Sequence, residues 1–367
     1  MKMKNSNAMI GAIIGDLVGS RFEWANEKTK DFELLTDRCK ITDDTVMTLA
    51  VGKALLEKVN NEDFEICVRY RMRIFGKAYP CVGYGARFQR WISDYGMGPY
   101  NSYGNGAAMR VSPCGMVGDT LEETLNLAKI SAEVTHNHPD GIMGAKCIAA
   151  AVYMARNGAS KEEIKKYSEE NFYDLNFTLD EIRESYTFDV SCKGSVPQAM
   201  VAFLDSASFE DAIRNAVSIG GDSDTIASMA GAIAYVYYDV DATEQGKAYR
   251  RIVDDHTDRY MKGIIMEFDD TFLKKQRKFT DFYEAFHFLN EHPYFEEEFL
   301  SCLDVSVVKV CPETKCVEED LSLNTMTNVW LEAGKPGYHD LELDCGGETY
   351  EEAIVELANR VYYTYGA

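Results

Sequence analysis

Two short stretches, far apart in the chain, carry oxygen donors in a pattern able to hold a hard cation. Thr42-Asp43-Asp44 runs into Thr45, and Asp222-Ser223-Asp224 runs into Thr225. From Asp44 and from Asp224 onward both read Asp-Thr-β-branched-x-hydroxyl-apolar-Ala, ending at Ala50 and Ala230. Each pattern suits a helix start, because Thr and Asp cap free N–H groups and a first-turn carboxylate gains about 0.3–1 kcal/mol from the helix dipole. One cap uses one oxygen, whereas these stretches hold four carboxylates and two hydroxyls. If the two starts converge, the carboxylates repel one another unless a cation lies between them. Mg²⁺ is the usual ion for carboxylate, hydroxyl and water oxygens. An EF-hand is excluded, since the Gly and bidentate Glu that its loop requires are replaced by Ala227 and Ile233.

Gly104-Asn105-Gly106-Ala107-Ala108-Met109 lacks the third Gly of a dinucleotide fingerprint, and no strand signal precedes it. It reads either as a plain turn or as a Gly-rich loop whose backbone N–H groups approach a diphosphate without Lys or Arg. Thr135-His136-Asn137-His138 has neither the HExxH spacing nor an adjoining Cys that zinc would need. Cys302, Cys311, Cys316 and Cys345 contain no CxxC. There is no GxSxG elbow and no P-loop.

Helices must position these residues. Apolar and small residues recur at helical spacing over 45–59, 120–132, 141–156, 196–204, 209–218, 225–238, 245–266 and 279–290. The small side chains Ala227, Ala230, Gly231 and Ala234 suit close helix contact, and no heptad persists, so an orthogonal helical domain is expected rather than a coiled coil. After residue 300 short β-rich runs appear at 305–310, 328–331 and 341–343, followed by an amphipathic helix over 349–363. Charge marks the same change. The chain of 367 residues carries a formal −22, and 17 acidic against four basic residues after position 290 account for −13 of it. The expected organisation is a catalytic domain over 1–290 and a small acidic α+β appendage over 291–367. Such acidity argues against nucleic acid as a main partner. No apolar run approaches the roughly 18 residues of a membrane helix, no signal peptide is evident, and the ten cysteines lack the spacing of a secreted scaffold. A cytoplasmic protein with reduced thiols and no membrane partner is expected.

With these motifs assembled, the sequence resembles the ADP-ribosylglycohydrolase family. The resemblance is carried by Gly11 to Ser20 with Glu23, Thr42-Asp43-Asp44-Thr45, Ser102 to Arg110, Thr135-His136 and Gly220-Gly221-Asp222-Ser223-Asp224-Thr225, in family order over most of residues 8–290. It implies an all-α fold with a centre of two Mg²⁺ ions at the base of an ADP-ribose cleft. Thr42, Asp43 and Asp44 match the first metal-binding segment, and Asp222, Asp224 and Thr225 the second. Glu23 matches a glutamate near the metals, on a segment that closes over substrate. Ser102, Tyr103, Gly104, Asn105 and Gly106 match the loop for the diphosphate and distal ribose, and His136 lines the same cleft. At position 102 some members carry a catalytic acid where this chain has Ser, which places an arginine-specific mechanism in doubt. The appendage lies outside the matched region.

The implied reaction is hydrolysis at C1″ of the distal ribose of an ADP-ribosylated protein or small-molecule conjugate, with Glu23, Asp43 or Asp44 as general base. The leaving group is left open among arginine, serine, O-acetyl and nucleobase adducts, with Tyr84, Trp91, Tyr95 and Tyr100 as rim candidates. A non-catalytic ADP-ribose binder and a two-metal nucleotide phosphohydrolase remain as other readings.

Overall fold

The computed structural model describes residues 4–58 and 61–273, together with strand residues 303–310, 317–318, 327–333 and 343–347. The chain divides into two units, Met1–Lys274 and Lys275–Ala367. The expected boundary at 290/291, the helices expected over 279–290 and 349–363, and the fourfold cysteine group lie outside the described residues or their described side chains.

The first unit is all α. Its helices are α1 (Ala8–Gly19), α2 (Asp43–Glu57), α3 (Asn61–Ala78), α4 (Ala86–Ser93), α5 (Gly106–Met109), α6 (Ser112–Val117), α7 (Leu121–Glu133) and α8 (Pro139–Arg156). They continue as α9 (Lys161–Asn171), α10 (Leu179–Arg183), α11 (Cys192–Leu204), α12 (Phe209–Ser218), α13 (Ser223–Tyr237), α14 (Glu244–His256) and α15 (Arg259–Phe268). Described strand pairing in this unit is a single bridge between Gly104 and Ser191. The helix expected over 245–266 is two helices. Thr257 is extended and Asp258 starts a new N-terminus, its carboxylate accepting from the Met261 N–H at 2.9 Å, so a local cap overrides the continuous apolar pattern. No helix among the described residues is long and apolar enough to cross a membrane.

In the second unit the described strands are β1 (Leu303–Val310), β2 (Val317–Glu318), β3 (Thr327–Ala333) and β4 (Leu343–Gly347). They form an antiparallel sheet in the order β2-β1-β3-β4, with Val305 opposite Leu331 and Leu331 opposite Cys345. The strand expected over 341–343 starts at Leu343 and runs on through Gly346 and Gly347.

The core is built on α1 and α13. Every residue of α1 is buried, as is α13 up to Val236. Gly11, Gly15 and Gly19 stand four apart on one side of α1, so they form a single stripe. A methyl group at Gly15 would fall inside the Ala227 carbonyl, one at Gly11 inside the Gly231 carbonyl, and one at Gly19 would lie 2.5 Å from the Asp224 Cα. The two backbones therefore touch without side chains between them. The start of α1 is pinned separately: Asn7 caps Met9 N–H at 2.9 Å and donates to Asp269 at 2.7 Å, while Arg250 joins Asp269 and Asp241, each at 2.6 Å.

Gly15→Ala is expected to destabilise the protein by about 2–3 kcal/mol or more, because backbone cannot yield as a side-chain tip can. Gly263→Ala on α15, where a methyl group meets nothing within 4 Å, is expected to be neutral or stabilising by about 0.5–1 kcal/mol. Urea unfolding of the two variants checks this, and equal midpoints would contradict the close α1–α13 contact.

Candidate functional site

The contact between α1 and α13 delivers Asp16, one residue beyond Gly15, beneath the N-terminus of α2. Its fully buried carboxylate accepts four hydrogen bonds: from the Thr42 N–H at 2.9 Å and hydroxyl at 2.8 Å, and from the Thr45 N–H at 3.1 Å and hydroxyl at 2.5 Å. Asp16 thus orients the whole start of α2. Thr42 in turn caps Asp44, accepting from its N–H at 3.2 Å, and its hydroxyl keeps one lone pair in hand.

The two acidic helix starts meet. Thr225 donates its hydroxyl to Asp44 Oδ2 at 3.1 Å, joining the N-termini of α13 and α2. Oxygens of Glu23, Asp222 and Asp224 lie within 4.8 Å of one another. Asp44 Oδ1 is buried with no hydrogen-bond partner, a costly state for a carboxylate oxygen. Burial and mutual repulsion raise the affinity of every one of these groups for protons. Desolvation comes first in each case, followed by neighbouring carboxylates for Asp43, Asp44, Asp224 and Glu23. Asp43 is pushed up to about 7. Asp222 is raised by burial, partly offset by the Asn105 amide that donates to it at 2.7 Å. An unpartnered oxygen among hard, mutually repelling donors is what a divalent cation fits, and Thr42, Asp43, Asp44, Asp222, Asp224 and Thr225 could hold one.

The Gly-rich loop adjoins this cluster through Asn105. Two of its N–H groups are committed: Gly104 donates to Ser102 Oγ at 3.2 Å and Asn105 to the Val190 carbonyl at 2.8 Å. Among the described residues the N–H groups of Gly106 and Ala107, which open α5, have no acceptor, so the loop offers fewer free donors than its glycines suggest. His136 stands behind it. A methyl group at Gly106 would be 3.2 Å from His136 Nε2, so the missing Cβ lets the ring approach the loop backbone. Arg110 braces the arrangement from below, donating to Gly106 O at 2.9 Å, Ser131 O at 2.8 Å and Thr135 Oγ1 at 3.0 Å. The Thr135 hydroxyl also shares a hydrogen bond with His136 Nδ1 at 2.7 Å, in which either group can be the donor. Burial and the Arg110 charge hold His136 neutral.

Tyr103 is exposed and edge-on to His138 at 5.7 Å, and it lies at the rim rather than among the carboxylates. Of the aromatic rim candidates, Tyr84 is buried beside Asp43 with an unpartnered hydroxyl, and Tyr100 lies 5.9 Å from His136. Trp91 is no rim residue, since it is wholly buried, stacked on Phe88 and under Arg73. Tyr95 is exposed and engaged with Lys77. Sequence reasoning assigned no role to Asp16 or Arg110, although both lie inside motifs that it singled out.

The family model for ADP-ribosylglycohydrolase matches residues 4–260. The ADP-ribosylhydrolase ARH3 of Homo sapiens is 27% identical over 311 residues, covering 64% of this chain and 85% of that protein. The ADP-ribosyl-[dinitrogen reductase] glycohydrolase of Rhodospirillum rubrum is 27% identical over 266 residues, covering 65% and 87%. A solved chain described as an ADP-ribosylglycohydrolase-related protein complex superposes with a TM-score of 0.53 at 21% identity, covering 73% of this chain and 98% of its own.

The acids of the cluster titrate higher in the fold than in the unfolded chain. Between the two values the native state holds more protons, so stability falls as pH rises. For Asp43 the window runs from an ordinary 3.8 to about 7. The melting temperature of metal-free protein is expected to fall between about pH 5 and about pH 7.5, and saturating Mg²⁺ is expected to suppress the fall by binding the native state alone. A metal-free melting temperature that climbs across this window would contradict the buried cluster.

Proposed function

We propose, from the premise that the chain belongs to the ADP-ribosylglycohydrolase family, that it is a Mg²⁺-dependent hydrolase. It cleaves the glycosidic bond at C1″ of ADP-ribose adducts on protein side chains or small molecules, releasing ADP-ribose. The observation that carries this reading is the unpartnered Asp44 oxygen where the starts of α2 and α13 meet, hydrogen-bonded through Asp222 and Asn105 to the Gly-rich loop.

Thr42, Asp43 and Asp44 on one side, and Asp222, Asp224 and Thr225 on the other, would hold two Mg²⁺ ions, which when bound would supply Lewis acidity toward ribose hydroxyls and water. The protein does the rest. Gly106 and Ala107 present N–H groups to the diphosphate, and Ser102, Tyr103, Gly104 and Asn105 shape the wall along which it lies. The neutral His136 turns Nε2 toward the loop without adding charge to the cleft. Asp43 and Asp44 are fixed by Val82 O, Thr42 and Thr225, which suits holding metal better than moving protons. Glu23 is only half-buried, so water can reach it, and burial together with Asp222 raises its proton affinity. It is therefore the general base that takes a proton from the attacking water and the group that returns it to the leaving atom.

The acceptor is an ADP-ribosylated protein or conjugate, with serine, arginine, O-acetyl and nucleobase adducts all presenting the same ADP-ribose half. Incubation with this panel, with and without Mg²⁺, is expected to release ADP-ribose only with metal. Release of AMP would mark a phosphohydrolase, and tight binding without turnover a non-catalytic binder. Replacing Asp43 and Asp44 by Ala is expected to abolish Mg²⁺ binding and reduce turnover by about 10³-fold or more; retained turnover would overturn the metal centre. Glu23→Gln, which keeps an oxygen for the ion but cannot take up a proton, is expected to lower kcat by about 10²-fold while Mg²⁺ still binds, which calorimetry and rate measurements separate.

A further inference from the structure

Glu23 lies on an irregular stretch over residues 20–41 that contains neither helix nor strand. Such stretches ordinarily sample many positions, yet this one is gripped at a particular place. Asn26 Oδ1 accepts from the Gly221 N–H at 2.9 Å, and Asn26 Nδ2 donates to Gly221 O at 3.1 Å, so one side chain pairs with both polar groups of Gly221. The same Nδ2 reaches back to Phe22 O at 2.8 Å and Glu23 O at 3.0 Å, which ties the backbone of Glu23 to that of Gly221.

Lys28 completes the grip. Its ammonium has three protons and donates to three carbonyls, Ile219 at 2.6 Å, Arg183 at 2.7 Å and Tyr186 at 2.8 Å. Asn26 thus holds one end of the turn before Asp222, and Lys28 the other. The turn itself has little freedom. Gly220 and Gly221 have φ of 69° and 78°, a left-handed conformation that favours glycine, and the Tyr186 ring fills the space where a Gly221 side chain would go. The Tyr186 hydroxyl is anchored on Gly194 O at 2.6 Å. Beside the grip, Trp24 stacks on Phe188 at 5.3 Å while remaining 81% exposed, a further contact between this stretch and the segment after α10.

We propose that Asn26 and Lys28 are positioning residues that clasp the 219–222 turn, so that Glu23 and Asp222 are held at cation-binding separation before any cation arrives. The proposal rests on the metal-centre reading above. Its physical basis is repulsion: Glu23 and Asp222 lie within 4.8 Å of each other, and without an ion between them an untethered Glu23 segment would swing away. The clasp opposes that movement, and a site assembled in advance binds its ion more tightly than one that must first be gathered. Both residues act through Glu23 and Asp222 and touch neither substrate nor metal.

Asn26 is exposed, so its replacement leaves the core untouched. The test compares the full chain with Asn26→Ala, Lys28→Met and Lys30→Ala. Lys30→Ala removes the Lys30–Asp211 ion pair of the same stretch but nothing at the turn. Calorimetric titration with Mg²⁺ and with Mn²⁺ gives affinity, and amide hydrogen exchange over 22–28 and 220–224, with and without metal, gives order. Asn26→Ala, which removes four hydrogen bonds, and Lys28→Met, which removes three, are each expected to weaken metal affinity by about tenfold. They are also expected to speed metal-free exchange in both segments, with metal restoring protection. Lys30→Ala is expected to do neither. Faster exchange with unchanged affinity would reduce the clasp to a structural contact and overturn the proposal, as would an equal affinity loss in Lys30→Ala. If Asn26→Ala does not fold, Asn26→Asp, which keeps the acceptor for Gly221 and loses the donors, takes its place. Absence of metal binding in the parent chain would overturn the metal-centre reading and the proposal with it, whereas metal binding by the parent with unchanged affinity in Asn26→Ala and Lys28→Met would overturn the clasp alone.

Discussion

The structure is organised around the burial of mutually repelling carboxylates. Asp16, Asp44, Asp222 and Asp224 are all nearly inaccessible to water, and Asp43 and Glu23 stand beside them. Charges taken out of water without partners are among the most expensive features a fold can contain. This chain meets that cost in two ways. Asp16 is saturated by four donors from the start of α2, and its charge faces the positive end of that helix. The remaining carboxylates are left short of donors, Asp44 Oδ1 having none. The division separates a structural acid from acids whose unmet demand is the property that function uses.

Bringing two helix starts that close requires that little lie between the helices. The stripe of Gly11, Gly15 and Gly19 meets that requirement, because backbone contact with Ala227 and Gly231 sets α1 directly against α13. Gly19 touches the Asp224 backbone itself, so the stripe ends at the site. A bulkier residue on it would move Asp224 as well as loosen the core. Stability and site geometry are therefore coupled through one line of missing side chains, and the network of Asn7, Arg250, Asp241 and Asp269 fixes where that line begins.

Much of this was legible in the residue pattern. Thr42-Asp43-Asp44 and Asp222-x-Asp224-Thr225 announced two helix starts with more oxygens than capping needs; the structure joins them, with Thr42 capping α2 while Asp222 makes no cap and accepts from Asn105 instead. The helices over 209–218 and 141–156 followed from periodicity to within two residues. What escaped depended on tertiary contact. The break at Thr257-Asp258 is hidden in an apolar pattern that runs through it, and only the Asp258 cap reveals it. Trp91, read as a rim aromatic, sits in the core because α4 is amphipathic and turns it inward beside Phe88. No helix was expected over Ala8–Gly19, and the role of Asp16 appears only when α2 is placed above it. The β-rich runs after residue 300 gave the strands in kind, with the last one running beyond its expected end at 343 to Gly347.

The acidity of the chain poses the problem of how it would hold an anionic diphosphate. The cations nearest the cleft floor are already committed. Arg110 spends its donors on Gly106 O, Ser131 O and Thr135, and Lys28 spends all three on main-chain carbonyls. Burial lowers Arg110 to about 10, but it remains charged at neutral pH and keeps His136 from becoming a second cation. Apart from Lys40, whose charge acts on Glu23, positive character at the site would come from two sources: backbone N–H groups at the start of α5, and ions gathered by the carboxylates. Both are local and fixed in direction, whereas a lysine could follow a phosphate wherever it moved. A cleft built this way orients the ligand as it binds it, because the ion site and the N–H groups are joined by a single hydrogen bond between Asp222 and Asn105. On the proposed reading the acidic cluster and the anion loop are one device, in which the carboxylates would collect the positive charge that the diphosphate requires.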